Sequence, residues 1–80
     1  MHKTLNWIYV TNSNNFYNWL ISLSDRNDPV GDLALDVKRD DRAPKGEASH
    51  DEWMAYLIRM HASREAILSF DQAWSEFSTF

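Results

Sequence analysis

The chain has no cysteine, and only two glycines and two prolines among its 80 residues. Without cysteine, neither a disulfide nor a thiolate-held metal can staple the fold, which fits a reducing compartment. Gly31 and Gly46 are isolated, so no glycine-rich phosphate loop is present. Positive charge is in deficit: 8 Lys and Arg stand against 12 Asp and Glu, a net charge of −4. That balance disfavours, without excluding, the basic face expected of a phosphate-binding protein. Long apolar runs are also missing. The stretch from Leu5 to Val10 is interrupted by Asn6. It is too short to span a bilayer and lacks a small-residue cleavage site. The expectation is a soluble, cytoplasmic protein with no membrane association.

Catalytic chemistry is equally thin. Ser, His and Asp occur, but no nucleophile motif surrounds them. His2, His50 and His61 are never three or four residues from one another, so zinc-site spacing is absent. His50, near a helix start, and His61, near a helix end, read as surface or boundary residues. A bundle this small has little room for a substrate pocket of several hundred Å³. No catalytic, cofactor-binding or metal-binding residue is expected, and no small-molecule substrate.

Aromatic residues are plentiful: four Trp, three Tyr and four Phe. Each can bury about 150–250 Å². They offset the thin core of a single small domain, which buries only about 60% of the surface its unfolded chain exposes. Residues 1–14 differ from the rest. Leu5 to Val10 favours an extended strand with no partner strand in the chain, and Asn12 to Asn15 breaks the pattern. Packing of Trp7 or Tyr9 on the helices is the favoured reading of this extension; pairing with another copy and a free arm are the alternatives. Residues 15–80 form the helical domain.

Four helices are predicted. The first runs from about residue 15 to 24, capped by Asn14 or Asn15, with Phe16, Leu20 and Leu23 on one stripe. The second starts at Asp28-Pro29, an N-cap followed by proline at the first helical position. Its stripe is Val30, Leu33, Ala34 and Val37, and Gly31 implies a close crossing with another helix. Residues 40–48 form the longest loop. Ser49 and Glu52 then have capping-box spacing before a helix that runs to about His61 and carries Trp53, Leu57 and Met60 on one line, with Met54 and Ile58 beside it. The last helix runs from about Ser63 to Phe77, with Ile67, Phe70, Trp74 and Phe77 as its stripe and Ala66 and Ala73 allowing close approach. The expected core is Phe16, Leu20, Leu33, Val37, Trp53, Leu57, Ile67, Phe70 and Trp74. Trp74→Ala is expected to cost about 3–5 kcal/mol.

Several motifs recur in a definite order: Phe16-Tyr17-x-Trp19-Leu20, Val30-Gly31-Asp32-Leu33-Ala34-x-Asp36, Asp41-x-x-Pro44, Tyr56-Leu57 and Phe70-Asp71-x-Ala73-Trp74. In order and spacing they resemble the small bacterial YozE-like proteins, over about residues 16–77. The resemblance implies an all-α bundle of four to five short helices, similar to the sterile alpha motif (SAM) domain. It implies no chemistry. SAM-like folds serve generally as protein-interaction modules, and some bind nucleic acid; fold alone does not fix which.

Three surfaces stand out as candidates. Asp32, Asp36 and Asp40 recur every four residues and share one helix face. They read first as a solvated face, and alternatively as a docking surface for a basic partner or a weak cation site. Tyr17 and Trp19 make the first helix apolar nearly all round. The N-terminal extension covers this excess in one reading. In the other, Trp7, Tyr9, Tyr17 and Trp19 contact a protein partner or a second copy. Lys38, Arg39, Arg42 and Lys45 could meet phosphate, but carboxylates interleave with them and the sum over residues 36–47 is neutral. A non-enzymatic protein-interaction module is the leading expectation, with possible self-association. A nucleic-acid accessory protein using these four basic residues is the alternative.

Overall fold

The structure, a computed structural model, describes residues 15–79. The expectations for residues 1–14, including the placement of Trp7 and Tyr9, lie outside the described residues. Four helices follow one another: α1 (Phe16–Ile21), α2 (Pro29–Arg39), α3 (His50–Arg59) and α4 (Arg64–Ser78). There is no strand among the described residues.

Each helix begins on a side-chain cap that the sequence announces. Asn15, Asp28, Ser49 and Ser63 accept hydrogen bonds from the backbone N–H three residues on. Ser49 and Glu52 complete the capping box, with the Glu52 carboxylate accepting from Ser49 N at 2.7 Å.

The ends differ more from expectation. The α-helical part of α1 stops at Ile21, short of residue 24. The chain continues there through turns with i→i+3 hydrogen bonds, such as Leu23 N to Leu20 O at 2.9 Å. Ser22 Oγ donates to Trp19 O at 2.5 Å, a side-chain bond of the kind that competes with regular helix. The end of α3 is a Schellman closure. Ala62 N–H reaches Leu57 O and His61 N–H reaches Ile58 O, both at 3.0 Å. His61 takes the left-handed position with φ 58°, where glycine is usual.

The core is built around Trp53, Phe70, Leu20 and Val30, all fully buried. Phe16, Leu33, Val37 and Leu57 are buried beside them, as expected. Trp74 and Ile67 are only half-buried. Their burial is taken by Ala73, fully enclosed, and by Ser69 and Tyr56. Helical phase explains the exchange: turning the Phe70 and Ala73 edge of α4 fully inward swings positions 67 and 74 towards its flanks. Ile58 is 60% exposed, so the α3 stripe is narrower than the sequence suggests.

The Gly31 expectation needs correction. No neighbouring helix explains the glycine. A Cβ there would lie 1.8 Å from the carbonyl oxygen of Arg26, in the α1–α2 connection. The close approach is between a helix and the loop that feeds it. The same loop is tied at its side chain: Arg26 Nε donates to Asp28 at 2.6 Å, and its two terminal nitrogens hold Glu76 of α4 at 2.9 Å each.

Candidate functional site

Two ends of the bundle have contrasting chemistry. At one end, Phe16 of α1 sits among Trp53, Phe70, Trp74 and Phe77, with ring centroids 4.8–5.7 Å away. Trp19 adds contacts to Phe16 at 5.8 Å and Phe77 at 5.6 Å. Tilted and edge-on geometries dominate, as the ring quadrupoles favour. His50 joins this end. Its ring lies 5.0 Å from Phe70, and its Nε2 is 3.2 Å from Asp71 Oδ1, linking the start of α3 to α4. Trp53 Nε1 is buried without a hydrogen-bond partner among the described residues. Its ring meets Phe16 and Tyr56 edge-on.

At the other end, α2 faces the corner between α3 and α4 across an open trough. One part, about 270 Å³, has Leu33, Val37, Leu57, Met60 and Ala66 among its lining residues. An adjoining part of about 180 Å³ shares Leu33, Asp36, Ser63 and Ala66 with it. The trough therefore continues along α2 from Pro29 to Asp40, about three turns. Among the described residues, its lining includes Asp32, Asp36, Asp40 and Glu65, and no Lys, Arg or His.

The acidic line divides by environment. Asp32 and Asp36 are exposed and have no ion pair among the described residues. Asp40 is half-buried at the end of α2 and is engaged by its neighbours. Its Oδ2 accepts from the Tyr56 hydroxyl at 2.6 Å. Its Oδ1 accepts from Arg42 N at 3.0 Å and Arg42 Nε at 3.2 Å. The Tyr56 bond, followed by the Arg42 backbone N–H, holds the Asp40 carboxyl down at about 2. Burial first, and Asp40 second, push the Tyr56 hydroxyl up from its ordinary 10.0. Asp40 thus fastens the loop after α2 onto α3.

The basic candidates do not gather into one patch. Lys38 and Arg39 are exposed in the last turn of α2, where the helix dipole favours them. Arg42 is tied to Asp40, and Lys45 Nζ donates to Asp41 O at 2.6 Å. The cleft beside Arg42, about 400 Å³, also holds Glu47, Glu52 and Arg59, so its charges balance. Tyr17 and Trp19 are half-buried and pack against the core.

Among the described residues, no group of three or more His, Asp or Glu side chains is arranged to hold a metal ion. No helix of the described residues is long and apolar enough to cross a membrane. Sequence reasoning found the Asp face and the apolar stripes separately. Met60 and Ala66 were legible as members of separate helix stripes, but not their union with Ala62 and Ser63 into one wall, which depends on the corner at His61.

Four short capped helices on one aromatic-rich core define a small all-α bundle of the SAM-like class. The family model described as "YozE SAM-like fold" matches residues 15–79, the whole of the described chain. The chain belongs to this YozE SAM-like family. Searches among curated proteins and solved structures gave no match.

Proposed function

We propose that the chain is a non-enzymatic protein-interaction module that binds its partner in the trough between α2 and the α3–α4 corner. The observation that carries this reading is the trough itself. Met60, Ala62 and Ala66 are half-buried and offer apolar surface at its walls, over a floor formed by the edges of the buried Leu33, Val37 and Leu57. The walls are helices on a fastened frame: the Asp40–Tyr56 bond joins the end of α2 to α3, and the Arg26–Glu76 pair joins the start of α2 to α4. A recognition surface of this kind needs no motion of the backbone.

The test is affinity capture of the tagged protein from native lysate with nuclease added, beside the variant Met60→Lys. A partner that survives nuclease and is lost with Met60→Lys is the expected result, provided the variant melts as the parent does. Absence of any nuclease-resistant partner overturns the reading. Partners that vanish with nuclease would favour nucleic-acid binding through Lys38, Arg39, Arg42 and Lys45. The interleaved carboxylates around those residues weigh against that alternative.

A further inference from the structure

The trough carries charge of one sign, and this narrows the partner. Asp32 and Asp36 stand on the α2 side and Glu65 on the α4 side, all exposed. None of the three has an ion pair among the described residues. They do not converge on a metal position. The complementary charge is therefore spread out, as on a chain of spaced Lys or Arg residues. Asp32 and Asp36 are separated by about 6 Å along α2, at 1.5 Å per residue. Basic residues four apart on a partner helix have the same pitch. Among the described residues, the walls of the trough are helices and their connection, with no sheet edge for an extended strand to join. Recognition must then run through side chains.

We propose, resting on the interaction reading above, that the trough binds a basic amphipathic helix of a partner protein. Its apolar face contacts the half-buried Met60, Ala62 and Ala66 over the trough-facing edges of the buried Leu33 and Leu57, and its Lys or Arg residues flank that face and meet Asp32, Asp36 and Glu65. A second copy of this chain is a poor occupant. α2 carries two acids and two bases, α3 two acids and one Arg, and α4 three acids and one Arg. None of these presents a basic face, and two copies at net −4 repel.

The probe is a fluorescent synthetic helix of about 15 residues, with leucines at helical spacing and lysines on the flanks. Two controls accompany it: a glutamate-for-lysine version, and a scrambled version with the same composition and no apolar face. Binding is read by anisotropy, and its location by amide shifts of the full chain. The expected result is binding of the Leu/Lys helix with shifts along Leu33, Leu57, Met60 and Ala66. Affinity should fall at least about tenfold from about 50 to about 300 mM salt. Asp36→Lys with Glu65→Lys should weaken it by a similar factor, while the melting curve stays that of the parent. Equal binding of the glutamate or scrambled peptide, or shifts confined to another face, overturns the proposal. If a captured partner depends on Met60 yet ignores salt and the two charge reversals, the interaction reading stands and the basic helix falls.

Discussion

The two ends of this bundle solve opposite problems with the same four helices. At the aromatic end, α1, α3 and α4 close on one another through Phe16, Trp53, Phe70, Trp74 and Phe77. At the trough end, α2 and the α3–α4 corner meet with small and aliphatic side chains, and an open channel edged by carboxylates is left between them. Large rings fill space and exclude water, whereas Ala62, Ser63 and Ala66 cannot. The aromatic end is therefore closed to water, while the other is left open for contact. A small domain has only about 5 kcal/mol in total to distribute.

The comparison is broken most directly at the aromatic end. Phe70→Ala should cost about 3–5 kcal/mol and abolish a cooperative melting transition. Trp74→Ala, half-buried, should cost about half as much and leave a transition at lower temperature. A Trp74 variant as damaged as the Phe70 variant would show that exposure misranks the two rings; calorimetry decides.

Between the two ends, the α1–α2 connection offers a test of sign. In an ordinary exposed helix, Gly→Ala stabilises by about 1 kcal/mol. Gly31→Ala should instead destabilise, by about 1–3 kcal/mol, because a Cβ would collide with the Arg26 carbonyl. Urea titration reads the direction without ambiguity.

The side-chain ties at each end of α2 should appear as pH dependence. Bonds from Arg26, and then Gln72, hold the Glu76 carboxyl down at about 2 from 4.5, and Asp40 also sits at about 2. Both are depressed in the folded state. Their contribution is present above the ordinary carboxylate range and is lost as pH falls from about 4.5 towards 2. Glu76→Gln should lower the melting temperature at neutral pH and flatten this acid decline. Tyr56 has the opposite sign. Its hydroxyl is raised, so its contribution is complete below about pH 10 and is lost above it. Tyr56→Phe should cost about 1 kcal/mol at neutral pH and remove part of the alkaline decline. An unchanged profile in both variants would show that neither tie contributes.

Smaller effects sharpen the contrast. His61→Gly should leave the Schellman corner intact and change stability by less than about 1 kcal/mol, with relief of the left-handed strain partly offset by unfolded-chain entropy. Asp36→Lys and Glu65→Lys should each shift stability by no more than about 0.5 kcal/mol, since both are exposed and unpaired among the described residues. A large loss from either would mean that the trough end is structural after all.

Local signals were written plainly in the chain. Asp28-Pro29 and Ser49-x-x-Glu52 place two helix starts to the residue, because a cap acts on amides only three positions away. Periodicity picks out Phe16, Leu20, Leu33, Val37, Trp53, Leu57 and Phe70 as core, and the ordered motifs identify the family. Tertiary contact decided the rest. Whether Trp74 or Ala73 faces inward depends on how α4 is rotated against its neighbours. Gly31 answers to a carbonyl five residues back, across a loop whose path no local rule fixes. Asp32, Asp36 and Asp40 look alike in the sequence, yet among the described residues only Asp40 is met by a tyrosine from another helix. The trough exists only where the corner at His61 brings α4 beside α2. Capping and amphipathic periodicity are short-range and survive in the sequence; packing phase, loop path and the pairing of a charge with a distant hydroxyl are set only when the helices meet.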